Sequence, residues 1–321
     1  MNRNRRDFIR CVASAGAFAA FSKAFAELKV YTTGIANEQV LKIAPLEIDI
    51  GVGKAFKALH FSDTHLNFFD AVDFSAVTDS KKAHYHRRWC RFPQALQSFY
   101  ATVDYARSNG LMMLHTGDLI DYVSEGNERT LSHNVAGLDF HYAIGNHEYQ
   151  DRGPEHYTDD QQGVRRRLRR YLPNDLTVAS RVVGGVNFVS FDNAMHNLRE
   201  ETIVGVKKEF GKGLPVVLMC HIPPVYTMLF RENSRKAKRT RLIRMGEVSA
   251  QTKEMPLPGN PADRHNESTR AFYAWLRGRK DLKAILCGHT HCAEVDDFSD
   301  TAKMYVAGGN YEGHAYEITF K

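Results

Sequence analysis

The sequence predicts a layered α/β fold, on three observations. Short apolar runs alternate with amphipathic stretches through most of the 321 residues, the rhythm of strands covered by helices. The chain finishes in strand-like segments and contains no internal repeat. Its apolar runs are brief and end in glycine or polar residues, as in Leu111-Met112-Met113-Leu114-His115-Thr116-Gly117-Asp118, which suits buried strands of a sheet covered on both faces. Such a length is ample for one large domain or two small ones.

Residues 1–26 stand apart from that fold. Asn4-Arg5-Arg6-Asp7-Phe8-Ile9-Arg10 precedes a weakly apolar, alanine-rich run from Val12 to Phe21, then Lys23 and Ala24-Phe25-Ala26. A charged start, an apolar middle and a small-x-small end make an export signal, and the paired arginines resemble the twin-arginine type. The apolar run is short for a bilayer, and no later segment reads as transmembrane. The expectation is export to the periplasm or the exterior by the twin-arginine machinery. Residues 27–321 would then form a single domain.

The chain carries 43 Lys+Arg against 37 Asp+Glu, a formal charge of +6. Residues 1–26 hold five basic residues (Arg3, Arg5, Arg6, Arg10, Lys23) and one acidic (Asp7), so 38 basic and 36 acidic remain, a net +2. That is no nucleic-acid footprint. Beyond residue 26 the cysteines are Cys90, Cys220, Cys287 and Cys292. Cys220 and Cys287 close apolar runs and read as small core hydrophobes, and spacing alone assigns no disulfide.

The elements follow in order. Alternating apolar residues from Lys29 to Val52 suggest one or two edge strands, and Phe56–Phe61 is the first strong strand, running into Ser62-Asp63-Thr64-His65. Residues 68–92 are polar and aromatic without clean periodicity, a long loop with a short helix at most and the first of two inserts. A helix then starts at Pro93, with Leu96, Phe99, Val103 and Ala106 on its buried face and Gly110 at its end. After the Leu111 strand come a helix near Glu128–Val135 and a strand from Leu138 to Ile144, ending Gly145-Asn146-His147-Glu148. A basic helix around Gln161–Tyr171 presents a solvated arginine face. Val178–Val183 and Val186–Phe191 flank Gly184-Gly185 as a hairpin. A helix over Leu198–Phe210 leads into the strand Val216–Cys220, which ends at His221. Residues 225–268 are the second, irregular insert, with a basic patch from Arg235 to Arg244. A helix over Thr269–Arg277 precedes the strand Ala284–Cys287 and Gly288-His289-Thr290-His291. Short strands near Ala293–Phe298, Met304–Ala307 and Ala315–Phe320 close the chain.

Five apolar strands stop at residues able to bind metal. They deliver Asp63 and His65, Asp118, Asn146, His221, then His289 and His291. A lone histidine or Gly-Asp at a strand end is ordinary; five such ends in one sheet are not. Carboxylate, imidazole and amide oxygen without thiolate suit Mn, Fe or Zn. In a strand or its extension, residues i and i+2 face related directions, so Asp63 and His65, and likewise His289 and His291, can join one cluster. Seven ligands exceed one ion's needs, which suggests two ions sharing a bridging carboxylate.

Asp63-x-His65, Gly117-Asp118-x-x-Asp121, Gly145-Asn146-His147-Glu148, His221 and Gly288-His289-x-His291 resemble, in order, the motif series of the calcineurin-like metallophosphoesterase superfamily. The resemblance runs from about residue 56 to the C-terminus. It implies a four-layer α/β/β/α sandwich, the metallo-dependent phosphatase fold, with two di- or trivalent ions (Mn, Fe, Zn or Ni) at the sheet's mouth. Carried over by motif, Asp63, His65 and His291 hold one ion, Asn146, His221 and His289 the other, and Asp118 bridges. His147 would bind phosphate and protonate the leaving oxygen, and Asp121 would orient a ligand. The DRG of protein serine/threonine phosphatases is absent, Asp121 stands where purple acid phosphatases have a tyrosine ligand, and no second domain matches the two-domain 5′-nucleotidases.

The implied reaction is hydrolysis of a small phosphoester by in-line attack of a hydroxide shared by the two ions. A phosphomonoester is favoured by the export signal, with phosphodiesters from nucleotides or lipids as the alternative. A non-catalytic binding protein that keeps the fold is the rival from another class, and the complete ligand set argues against it. The inserts adjoin ligand-bearing strand ends, which places Arg87, Arg88, Trp89 and Tyr226 as candidate substrate-rim residues.

Overall fold

The computed structural model describes residues 41–70, 73, 75, 77–151, 157–195, 197–225, 243–244 and 266–321. The expected signal (1–26), Tyr226 and most of the second insert lie outside the described residues. In chain order the elements are β1 (Lys42–Ile48), β2 (Phe56–Phe61), α1 (Asp79–Arg91), α2 (Ala95–Ser108), β3 (Met112–His115), α3 (Glu125–Asn134) and β4 (Phe140–Tyr142). There follow α4 (Gln161–Leu168), β5 (Val178–Val183), β6 (Val186–Phe191), α5 (Glu200–Phe210) and β7 (Val216–Met219). A short pair, β8 (Pro224–Val225) and β9 (Ile243–Arg244), is followed by α6 (Glu267–Arg277), β10 (Leu282–Cys287), β11 (Glu294–Asp297), β12 (Lys303–Val306) and β13 (His314–Phe320).

The strands form two sheets, ordered β1-β13-β2-β3-β4 and β11-β12-β10-β7-β6-β5. Parallel strands centre each: β2, β3 and β4 in the first, and β12, β10, β7 and β6 in the second. Side-chain alternation divides the interior into three apolar layers. Leu59 and Met113 face Phe99 and Val103 of α2, whereas Ala58 and Leu114 face the other sheet. In the second sheet Leu218 and Ile285 pack under Val206 of α5 and Phe272 of α6, whereas Val217, Met219 and Leu286 meet Ile318 and Phe320 of the first. Helix, sheet, sheet and helix therefore stack in four layers. Cys220 and Cys287 are free thiols inside the second helix–sheet layer, as small hydrophobes.

The structure departs from the sequence reading in three places. The five ligand-bearing strands lie three in one sheet and two in the other, not in one sheet. Residues 79–91, expected as loop with a short helix at most, form the 13-residue α1. It has no apolar stripe, and only Tyr85 is buried along it. Thr78 caps its start, and its last turn is held by tertiary contacts, among them Asn67 Nδ2 donating to the Arg88 carbonyl at 2.9 Å. Finally, Arg165 of the basic helix turns inward. Its guanidinium lies 3.3 Å from Asp192 and donates to the Tyr149 hydroxyl at 3.1 Å.

Candidate metal centre

The carboxyl ends of β2, β3, β4, β7 and β10 converge where the two sheets open together. The loops after β2 and β3 run side by side, with Asp63 N–H donating to the Gly117 carbonyl at 3.0 Å and His65 N–H to the Asp118 carbonyl at 2.9 Å. Asp63, His65, Asp118, His289 and His291 all have left-handed backbones, with φ between 52° and 71°. These are the only non-glycine residues with positive φ among the described residues. A left-handed non-glycine residue is strained by roughly 1–3 kcal/mol, and such residues cluster at functional sites. The shared orientation of each i, i+2 pair thus comes from two left-handed turns, not from the pleat of an extended strand.

Glycines permit the approach. Gly117 has φ 95°, and a Cβ on it would stand 2.6 Å from His221 Nδ1. A Cβ on Gly145 would stand 2.2 Å from Asp118 Oδ1. Glu148 ties the same loops together. It accepts Asp118 N–H at 3.0 Å, Ile120 N–H at 3.0 Å and Gly145 N–H at 2.9 Å.

The donor atoms form two clusters. In one, His291 Nε2 lies 3.2 Å from Asp63 Oδ1 and 3.0 Å from His65 Nε2. In the other, His221 Nε2 lies 3.1 Å from Asn146 Oδ1, 3.2 Å from His289 Nδ1 and 3.1 Å from Asp118 Oδ2. Asp118 Oδ2 is also 3.7 Å from His65 Nε2, between the clusters. A third grouping joins His65, Asp118 and His147, but His147 Nε2 is 4.0 Å from Asp118. Asp63 further accepts the backbone N–H of His289, pinning the second sheet's loop to the first.

Three of the four candidate ligand imidazoles are fixed from behind. His65 Nδ1 contacts Asp121 at 2.8 Å, His221 Nδ1 the Thr116 carbonyl at 2.8 Å, and His291 Nδ1 the Tyr311 hydroxyl at 3.3 Å. Acceptors at those nitrogens leave Nε2 lone pairs turned toward the centre, the arrangement that outer contacts impose on metal-binding histidines. Asn146 Nδ2 donates to Tyr157 at 3.0 Å, which turns its Oδ1 inward. Burial lowers His65 to about 4 and His289 to about 3, which keeps both rings neutral. Burial works against the Asp63 and Asp118 carboxylates, yet the facing histidines outweigh it and hold both well below the usual range. Nitrogen pairs 3.0–3.2 Å apart beside ionised carboxylates need a cation or a shared proton between them. The residues present fit metal ions.

His147 sits beside both clusters. Its backbone N–H donates to Asp118 Oδ1 at 2.9 Å, and its Nδ1 contacts the Asp121 carbonyl at 2.9 Å and carboxylate at 3.0 Å. The candidate rim residues scatter. Arg87 is exposed, and Trp89 packs against Phe68 and Phe69. Arg88 turns inward, its Nε donating to Asp121 Oδ2 at 2.5 Å and its Nη2 to Oδ1. Glu148 stood in the motif series without an assigned role, and Tyr157 and Asn193 were missed by sequence reasoning. Asn193 accepts the backbone N–H groups of His221 and Ile222 at 3.1 Å. Its signal was available, since β6 is another apolar strand with polar residues, Asp192-Asn193, at its end.

No curated protein sequence matches the chain. Among solved structures it is similar to a dimetal phosphatase from Danio rerio, at 12% identity over 80% of this chain and 88% of that one, with a TM-score of 0.44. It is similar to a putative 5′-nucleotidase from Staphylococcus aureus (15% identity, 80% of this chain, TM-score 0.39) and a 5′-nucleotidase from Candida albicans (14%, 84%, 0.36). It spans 49% and 48% of those two chains. The family model of the calcineurin-like phosphoesterases matches residues 56–293, a stretch that starts with β2 and takes in every strand end at this centre. The chain belongs to the calcineurin-like phosphoesterase family.

Proposed function

We propose that the chain hydrolyses small phosphoesters, phosphomonoesters first, with two metal ions at the joint mouth of its sheets. The observation that carries this reading is the position of Asp118 Oδ2, between the imidazoles of His65 and His221. Asp63, His65 and His291 would hold one ion and Asn146, His221 and His289 the other, with Asp118 common to both. Ions held there would polarise phosphoryl oxygens and acidify the attacking water.

The chain's own groups supply the rest. Burial disfavours a charged His147, but without bound ions the Asp118 and Asp121 carboxylates outweigh it and lift the ring to about 10. Ions held at Asp118 would offset part of that rise, and Asp121 would keep the remainder. With Nδ1 on Asp121, the proton at Nε2 faces the clusters, available to the departing alkoxide. Asp121 holds the Nδ1 side of both His147 and His65 through one buried carboxylate. Residues 1–26 would direct the enzyme out of the cytoplasm by the twin-arginine route, and residues 27–321 would act as one domain. Cell fractionation with Arg5 and Arg6 replaced by lysine tests the export step.

The deciding experiment measures turnover of p-nitrophenyl phosphate and its bis-ester by chain stripped of metal and reloaded with Mn, Fe, Zn or Ni. Metal-dependent turnover, faster on the monoester, supports the reading. Tight metal binding with no turnover of either ester overturns it in favour of a binding protein.

A further inference from the structure

Asp121 is wholly buried and serves two imidazoles, and it has a further partner that no motif of the sequence announces. Arg88, in the last turn of α1, lays its guanidinium on the carboxylate in a two-pronged contact, Nε to Oδ2 and Nη2 to Oδ1. The Arg88 side chain is only 13% exposed. Its Cζ stands 5.0 Å from the centroid of the Phe92 ring, and Phe92 stacks on His65 with centroids 4.5 Å apart and planes within 7°. The end of α1 thus grips the centre twice, by charge at Asp121 and by stacking at His65.

We propose that Arg88 is a positioning residue for the phosphoesterase reaction, acting through Asp121 on both His65 and His147. The inference rests on the function proposed above. A planar guanidinium bound through two nitrogens fixes both the rotation and the plane of a carboxylate, which a lysine ammonium cannot do. With Oδ2 clamped, Oδ1 stays on the Nδ1 atoms of His65 and His147. Without the clamp the carboxylate turns about its Cβ–Cγ bond, so that His65 loses its acceptor and His147 keeps only the Asp121 carbonyl, at 2.9 Å. The same residue would then set the affinity of the Asp63–His65–His291 cluster and the aim of the His147 proton. Direct phosphate binding by Arg88, the rim role suggested by its place in the first insert, predicts a different pattern.

The test compares Arg88→Ala, Arg88→Lys and Lys82→Ala in the full chain. Lys82 pairs with Asp79 on the outer side of the same helix and controls for loss of helix stability. Calorimetric titration of metal into stripped protein reads the first effect, and kinetics on phenyl and p-nitrophenyl phosphates reads the second. For both Arg88 variants we expect one metal site weakened by about 10–100-fold, the range for lost outer-contact partners. The kcat should fall similarly, more for phenyl phosphate, with KM changed little. Lys82→Ala should match the parent. A raised KM with normal metal affinity, restored by Arg88→Lys, overturns the inference in favour of phosphate binding. Parent-like behaviour of Arg88→Ala also overturns it. An inactive parent would instead reject the phosphoesterase reading itself, while the metal titration still reports on Arg88.

Discussion

His147 and Asp118 are joined by a hydrogen bond from the backbone N–H of the first to Oδ1 of the second, at 2.9 Å. One oxygen of Asp118 is therefore engaged by the loop after β4, and the other, Oδ2, is the one that faces His65 and His221. Under the proposed function, that one oxygen would serve both clusters, so metal occupancy on both sides would depend on Asp118.

Asp118→Asn should consequently lose ions from both clusters, along with turnover. An amide keeps the shape but offers a weaker, neutral oxygen where two cations need a charge. The expected loss of activity exceeds about 100-fold, beyond the range for removing an outer contact. Metal analysis after dialysis checks it, and retention of two ions per chain would contradict the shared-ligand assignment.

His147→Ala separates chemistry from binding. The side chain reaches Asp118 Oδ2 only at 4.0 Å, whereas its Nδ1 is committed to Asp121. Metal content should remain, and kcat should fall by roughly 10²–10⁴-fold on poor leaving groups. The loss should shrink on p-nitrophenyl phosphate, whose leaving group departs without a proton. An equal loss on every leaving group would remove the acid role.

Gly145→Ala tests packing at the same place. Its Cβ would meet Asp118 Oδ1 at 2.2 Å and Asp118 N at 2.4 Å, and the latter is backbone that cannot swing away. Asp118 must shift, and Asn146, the adjacent residue, with it. Reduced metal stoichiometry and a lower thermal midpoint are expected, while a parent-like variant would show that the loops are looser than they look.

Much of the site was legible because each contributing strand is short, apolar and followed at once by its polar residues. Asp63, Asp118, Asn146, His221 and His289 all stand within four residues of a strand end, which is a local signal. What was hidden is of three kinds. Left-handed backbone at His65 or His291 carries no mark in a sequence, since histidine is not glycine and the conformation is imposed by neighbouring loops. Helix α1 lacks the apolar stripe that reveals helices, because it is held by contacts such as Arg88 on Asp121 across 33 positions. The division of the strands between two sheets depends on pairing, and residues that end a strand look alike in either sheet. The four layers came from the motif resemblance rather than from periodicity.

Acid should destabilise the stripped protein through its buried neutral histidines, His65 and His289 in the clusters and His60 and His115 away from them. Burial lowers His60 and His115 to about 3, against 6.5 when unfolded, so the unfolded chain binds more protons between those values. Stability is then lost as pH falls below about 6.5, at about 1.4 kcal/mol per pH unit for each ring. His147 and His221, lifted to about 10 and 9, contribute fully and constantly below 6.5, whereas Glu148, raised by burial to about 7, offsets part of the loss as pH falls toward 4.5. His60→Gln keeps a partner for the Thr116 hydroxyl, which His60 Nε2 meets at 2.9 Å, but does not titrate. Urea unfolding from pH 6.5 to 4 should show a slope shallower by about one proton, and an unchanged slope would mean that His60 is charged or solvated in the folded state.

Metal removal should destabilise the fold as well as silence it. The clusters draw donors from both sheets, with Asp63, His65, Asp118 and Asn146 on one side and His221, His289 and His291 on the other. Ions there would cross-link the sheets at their open end, where nitrogen pairs otherwise face each other at 3.0 and 3.2 Å. At a metal concentration 100 times the dissociation constant, one ion bound only by the folded state adds about 2.7 kcal/mol. For a chain of this size each kcal/mol moves the thermal midpoint by roughly 2 °C, so each ion should raise it by about 5 °C. Calorimetric scans of stripped and reloaded protein check this. Asp118→Asn should lose most of the increment, and His147→Ala should keep it.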